Sequence, residues 1–312
     1  MRNHNNAATR FHLVAVAILA AVLLGPAAGL SRATEQKTFP SPDAAMAALI
    51  AAVRSSAPDQ IMAILGSDLE AYNTTRDKSQ DEVNRTLFLA GAHELKLEPQ
   101  AGDPNTVIAY LGVLEWPFPA PLVKTATGWK FDGKAALEEI QDRQIGRNEL
   151  EIIDACQSYV DAQLEYFSLN RQGDGYLQFA QKINSTTGKY DGLYWSTANG
   201  EDDSPIGPFA AQAAATEVAE GDAAPLSGYY AKILTAQGES AMGGARSYLV
   251  NGRMLGGFAL VAWPAEYGIT GNATFIVNQL GTVYQKDLGA DTDKIARGID
   301  EFNPDNTWKI VE

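Results

Sequence analysis

Two apolar patterns divide the chain. Leu13 to Leu24 is an unbroken run of twelve apolar residues, preceded by a polar stretch carrying Arg2 and Arg10 and followed by the helix breakers Gly25 and Pro26. Beyond it, apolar residues recur with regular gaps. Ser41 reads as an N-cap, Pro42 takes the first helical position and Asp43 complements the helix dipole, so Met46, Leu49, Ile50 and Val53 predict a helix. Pro58 opens a second, short helix with Ile61, Ile64 and Leu65 as its apolar side and Gly66 as its stop. The polar stretch Asn73–Gln80 reads as a loop, and a third helix starts at Asp81 with Val83, Leu87 and Leu89 as its apolar positions. The period then drops to two. Leu95 and Leu97, Thr106–Leu111, Pro121–Lys124 and Trp129–Phe131 read as strands.

From Lys134 the period is helical again, through Leu137, Ile140 and Ile145, with Gly146 expected to break the helix. Leu150, Ile153, Cys156, Val160, Leu164 and Phe167 then predict the buried stripe of a second helix. Residues 173–224 are rich in Gly, Asp, Pro and Ala and read as a long irregular excursion. Short β-rich runs follow at Tyr229–Leu234, Ser247–Val250, Phe258–Trp263, Thr274–Asn278 and Thr282–Lys286, with turns at Asn251-Gly252 and Asn278–Gly281. A helix from about Asp291 to Phe302 and a strand at Trp308–Val311 close the chain. Helices followed by antiparallel strands, twice over, make an α+β protein. The expected division is a signal peptide over residues 1–33, an N-terminal α+β domain over 34–133 and a C-terminal α+β domain over 134–312.

Composition sharpens this reading. Twelve apolar residues rise about 18 Å as a helix, against a hydrocarbon core of roughly 30 Å. With Ser31-Arg32-Ala33 after the break, the segment is expected to be a cleaved secretory signal. No Cys follows the run, so a lipid anchor is not expected, and neither is stable membrane insertion after cleavage. The chain of 312 residues carries a net charge of −14, and removal of Arg2, Arg10 and Arg32 takes it to −17. Such a surface repels nucleic acid and anionic lipid. One cysteine, Cys156, allows no intrachain disulfide. Only His93 remains of the three histidines once His4 and His12 are removed with the signal.

The segment Trp116-Pro117-Phe118-Pro119-Ala120-Pro121-Leu122-Val123-Lys124, with Gly128-Trp129-Lys130-Phe131-Asp132 and Ile145-Gly146-Arg147-Asn148-Glu149-Leu150 after it, resembles a bacterial family of exported proteins known as domain of unknown function 2950. The run Ala262 to Gly271, then Phe275-Ile276-Val277-Asn278-Gln279 and Asp287-Leu288-Gly289, is similar to the same family. Gln144 stands where that family usually has Arg, and Ala136 where it often has Gly. The resemblance implies export and no reaction. At the level of fold, the C-terminal half is similar to the globular part of type IV pilin-like proteins, and the N-terminal half to the nuclear-transport-factor-2-like cone. Arg147, Glu149, Glu151, Asp154, Asp161 and Glu165 on the long helix would be costly to bury in a fibre core.

Candidate chemistry is sparse. Gly238-Glu239-Ser240-Ala241-Met242 starts like a nucleophile elbow but lacks its last glycine and any histidine downstream. Thr187-Gly188-Lys189 lacks the earlier glycine of a phosphate loop, because that position is Ile183. His93 reads as a helix-end residue and Cys156 as a small buried hydrophobe. Glu138-Glu139 and Asp202-Asp203 read as solvated charge. Asp287, Asp291 and Asp293 offer oxygens to Ca²⁺ but not at EF-hand spacing, so Asp291 reads as a helix cap. Glu266, between Trp263 and Tyr267, has the setting of a sugar-binding or acid carboxylate. Tyr110, Trp116, Phe118 and Trp129 are aromatics in the N-terminal sheet that pack a core or line a pocket.

The sequence thus predicts an exported periplasmic or secreted protein acting as a non-catalytic binding or accessory module, with no metal and no cofactor. Its binding candidates are Tyr110, Trp116, Trp129, Trp263, Glu266 and Tyr267, and its expected partner is an envelope protein or a small apolar ligand. A carboxylate-dependent hydrolase of envelope glycan built on Glu266 is one alternative. A pilin-like, secretion-associated subunit is the other, and it requires an exposed apolar stripe on the helix from Asn148 to Phe167.

Overall fold

The computed structural model describes residues 35–72, 78–195, 203–206, 225 and 227–311. The expected signal segment, Asp202 and most of the second half of the 173–224 excursion lie outside them. Two compact units divide between Gln144 and Ile145.

In the first unit, α1 (Pro42–Arg54) starts as its sequence requires: the Ser41 hydroxyl oxygen accepts the Ala44 N–H at 3.1 Å. Met46, Leu49 and Val53 are buried along it. α2 (Pro58–Leu65) buries Ile61, Ile64 and Leu65 and stops at Gly66, whose φ of 100° suits only glycine. α3 (Lys78–Gly91) begins inside the stretch expected to be a loop. Its inward face also differs from the expectation: Asn84 and Phe88 are buried, while Val83 and Leu87 stand 52% and 36% exposed. The Phe88 ring packs 5.8 Å from Phe118, itself 6.2 Å from Phe131. One large ring at the core centre outweighs two smaller aliphatic side chains, and the helix turns accordingly.

The sheet of this unit is antiparallel, with β1 (Lys96–Gln100), β2 (Asp103–Leu111), β4 (Leu122–Thr125) and β5 (Gly128–Phe131) in that order and β3 (Trp116–Pro117) on β2. Val107, Ala109 and Leu111 face the core by the two-residue alternation of β2. A backbone bridge between Phe39 and Trp129, at 2.8 and 2.7 Å, seals the β5 edge.

α4 (Gly133–Phe167) runs 35 residues without a break. The Asp132 carboxylate accepts the N–H groups of Lys134 and Ala135 at 3.1 Å each and caps it. Gly146 does not interrupt the helix, and a Cβ there would meet nothing within 4 Å. The buried face carries Ile152, Cys156, Tyr159, Val160, Gln163 and Tyr166, whereas Leu150 and Leu164 of the expected stripe lie exposed. Among the described residues, no helix is long and apolar enough to cross a membrane.

The main sheet of the second unit is antiparallel in the order β14-β13-β12-β11-β6: β6 (Tyr229–Leu234), β11 (Ala259–Pro264), β12 (Ala273–Asn278), β13 (Tyr284–Asp287) and β14 (Lys309–Ile310). Two small ladders, β7 (Ala236–Gln237) on β8 (Arg246–Ser247) and β9 (Leu249–Val250) on β10 (Arg253–Met254), sit between β6 and β11 in the chain. Asn251 and Gly252 turn β9 into β10 with φ of 51° and 78°, the positive pair that a tight hairpin needs. The final helix α5 (Thr292–Arg297) is much shorter than expected. Ile299 and Phe302 therefore fall in the segment after it, and Phe302 is buried in a bridge to Gln237.

Candidate functional site

The aromatics of the first unit do not converge. Tyr110 lies on β2 on the side away from Val107, Ala109 and Leu111. Trp116 is paired with Leu111, half-buried, under the Arg143 guanidinium at 4.9 Å. Arg143 is itself fixed by Glu139 at 2.7 Å and by the Pro117 carbonyl at 3.0 Å. Trp129 takes part in the edge bridge to Phe39, and Phe118 belongs to the core rings. Trp116, Phe118 and Trp129 pack on the core of the first unit, and no two of Tyr110, Trp116 and Trp129 share a ladder pair or a ring contact.

In the second unit, Trp263 is buried on β11, and its indole N–H donates to Asp293 at 3.0 Å. Arg297 donates to both Asp293 oxygens at 2.9 Å and lies over the Trp263 ring at 5.8 Å. The bond from Arg297, and then that from the indole, hold the Asp293 carboxyl below its ordinary range. Glu266 opens the turn after β11. Its N–H donates to the Thr270 hydroxyl at 3.0 Å, its carbonyl accepts the Thr270 N–H at 2.8 Å, and its side chain is exposed. The Tyr267 hydroxyl donates to Asp287 at 3.2 Å, which raises the phenol above its usual range. Trp263 is thus directed to α5, Tyr267 to β13, and the Glu266 carboxylate to water.

Two of the three aspartates with oxygens for Ca²⁺ have structural partners. Asp287 also accepts the Gly289 N–H at 2.8 Å, and Asp293 is held as above. Asp291 stands at the N-cap of α5, but its side chain makes no capping bond, contrary to expectation. Among the described residues, no group of three or more His, Cys, Asp or Glu side chains is placed to hold a metal ion.

A polar cluster that sequence reasoning missed lies at Lys182, Thr186 and Asp191. The Lys182 ammonium donates to Asp191 and to the Thr186 hydroxyl at 2.8 Å each, and Asp191 accepts the Thr186 hydroxyl and N–H at 2.9 and 2.7 Å. An amine beside a hydroxyl has the composition of a nucleophile and its base. Here the amine is an ion pair with a carboxylate, and an ammonium has no lone pair with which to take the hydroxyl proton. Burial acts to raise the Asp191 carboxyl, but the Lys182 bond and the two Thr186 bonds outweigh it and hold the group at about 2. The cluster pins the loop from 182 to 192.

The second unit also carries a groove of about 270 Å³ between α5, the segment that leaves it, and the β13–β14 edge. Ile276, Leu288, Ile295, Ile299 and Trp308 form its apolar wall. Lys286, Asp300, Glu301 and Asn303 stand around it. The ladder explains the placement: Thr274 pairs with Lys286 and Ile276 with Tyr284, so alternation sets Ile276 and Lys286 on one face of the sheet. The Lys286 ammonium donates to Thr307 at 2.7 Å and lies 5.7 Å from the Trp308 ring, which steadies that ring as a wall. Lys232 holds Asp300 at 3.1 Å. The volume falls just under the 300–1,000 Å³ of ordinary ligand pockets, a size for one large side chain or a small ring system. Its available signal in the sequence was Ile295: an isoleucine on a helical stripe that the short α5 leaves 44% exposed.

The family model described as protein of unknown function (DUF2950) matches residues 36–311, nearly all of the chain outside the expected signal. Comparison with the curated proteins and with the solved structures finds no match.

Proposed function

Because the chain belongs to the family of proteins of unknown function (DUF2950), which by itself specifies no reaction, we propose from the residues and the site that it is an exported binding module of the cell envelope holding a small apolar group in its C-terminal groove. The observation that carries this reading is the groove wall of Ile276, Leu288, Ile295, Ile299 and Trp308, an apolar concavity with polar groups at its margin. Export is supported by the apolar run Leu13–Leu24 with its basic flank and the small residues Ser31 and Ala33. The acidic surface supports a soluble role after cleavage. A hydrolytic role for Glu266 gains nothing from its surroundings, since the neighbouring aromatics are directed elsewhere. A fibre subunit gains little from α4, which puts Ile152, Cys156, Tyr159, Val160 and Tyr166 in the core of the second unit and leaves only Leu150 and Leu164 of the expected stripe exposed, about four turns apart.

Titration of the mature chain with the uncharged dye N-phenyl-1-naphthylamine, followed by dye fluorescence, tests the groove. We expect saturable binding with Kd on the order of 10–100 µM. Ile295→Glu, at a half-exposed position, should weaken it at least about tenfold with circular dichroism unchanged. Equal dye binding by the wild type and this variant would contradict the proposal.

A further inference from the structure

The groove opens beside a strand edge. In the ladder, Ile310 pairs with Tyr284 and Lys309 with Gln285, and the Val311 N–H donates to the Val283 carbonyl at 3.0 Å. Antiparallel partners alternate between bonded and non-bonded pairs. With 283/311 bonded, the 284/310 pair is non-bonded, and the N–H and C=O of Ile310 turn away from β13 toward the outer side of β14, where no strand pairs among the described residues. The same alternation puts Trp308 and Ile310 on the face that carries the groove, and Ile310 is 58% exposed. The edge therefore offers backbone donors and acceptors next to an apolar cavity sized for one side chain.

We propose that an extended segment of a partner protein adds as a further strand to β14 and sets one large apolar side chain against Trp308 and Ile295, with a basic residue beside it meeting Glu301. This deepens the binding-module reading and rests on it. A backbone added at a sheet edge takes its affinity from main-chain hydrogen bonds and its specificity from pockets for alternate side chains, and this edge supplies one of each. The basic flank follows from charge: at the margin Asp300 is held by Lys232 and the Lys286 ammonium is turned to Thr307, Lys309 stands on the opposite face of β14 by alternation, and Glu301 is left exposed on a chain that carries −14.

The test uses a fluorescein-labelled, amidated pentapeptide Lys-Val-Leu-Val-Lys, its anisotropy followed against the mature chain. We expect saturable binding that falls at least about tenfold when the peptide backbone is N-methylated or its leucine is replaced by alanine. Ile310→Pro removes an N–H that makes no bond to β13, so the fold should survive. It should abolish peptide binding while leaving the naphthalene dye bound as in the wild type. Glu301→Lys should weaken the lysine-flanked peptide roughly fivefold and strengthen a glutamate-flanked one. Dye binding without peptide binding, or peptide binding equal in the wild type and Ile310→Pro, overturns the strand addition and leaves the groove reading standing. Loss of both dye and peptide binding in the wild type overturns the two together. A dimer seen by sedimentation that Ile310→Pro dissolves would make a second copy the occupant and would also overturn the proposal.

Discussion

Gln163 shows how much a single polar side chain holds in the second unit. Fully buried on α4, it donates to the Tyr159 hydroxyl at 3.1 Å and to the Ala180 carbonyl at 2.8 Å, and accepts the Ala180 N–H at 2.8 Å. It thereby satisfies a backbone pair in an irregular segment that has no ladder of its own. Gln163→Leu keeps the volume and orphans both Ala180 groups, so it should cost about 2–4 kcal/mol, read as a lower urea midpoint with unchanged slope. Two turns earlier, Cys156 is buried, and burial alone pushes its thiol up to about 12. It should resist iodoacetamide at pH 8 in the native protein and react fully in denaturant; rapid native labelling would contradict its place in the core. Asp191 behaves in the opposite sense. Its folded-state carboxyl lies below the unfolded value of 3.8, so its contribution is present above that pH and is lost as pH falls toward about 2. The hydrogen-exchange protection of the Thr186 amide, its bonded partner, relative to the intrinsic rate at each pH, should fall over that window.

At the scale of elements, local signals with a steric or hydrogen-bonding cause were legible. The Ser41 cap, the Gly66 stop, the Asn251-Gly252 hairpin and the β6 bounds Tyr229–Leu234 each follow from neighbours in sequence. What the sequence did not convey was which side of a helix the rest of the chain would claim. α3 turns Phe88 inward and leaves Val83 and Leu87 to water because a ring already waits at Phe118. α4 centres its buried face on Tyr159 and Tyr166 because Ala259 and Tyr190 offer carbonyls to their hydroxyls, and no spacing rule contains those partners. The groove was hidden for the same reason, since Ile295 and Ile299 looked like an ordinary helical stripe until α5 stopped at Arg297. Trp116, Trp263 and Tyr267 stand out as residue types, but each is held by a partner distant in sequence, Arg143, Asp293 and Asp287 in turn, and no spacing rule contains those either. Gly146 tests the helix directly. Lying inside an unbroken helix with open space where a Cβ would go, Gly146→Ala should stabilise by about 0.5–1 kcal/mol. If residue 146 were a break, the substitution would be neutral or destabilising.

At the scale of the whole molecule, export and one apolar concavity carry the proposed role. The mature protein isolated from the cell envelope or medium should have a mass that begins at Thr34; an intact N-terminus retained in the cytoplasm would contradict export. Other apolar side chains compete with the groove for any apolar ligand, notably Val113, Leu114 and Met242, each well exposed at a turn. Convexity separates them from the groove: a turn tip leaves most of a ligand in water, whereas a groove of about 270 Å³ covers one side of it. Methyl-selective NMR of the mature chain, titrated with N-phenyl-1-naphthylamine, reads the two against each other. The predicted result is saturating shifts at the methyls of Ile276, Leu288, Ile295 and Ile299, with Val113, Leu114 and Met242 unmoved; shifts at those three with the groove methyls silent would contradict it.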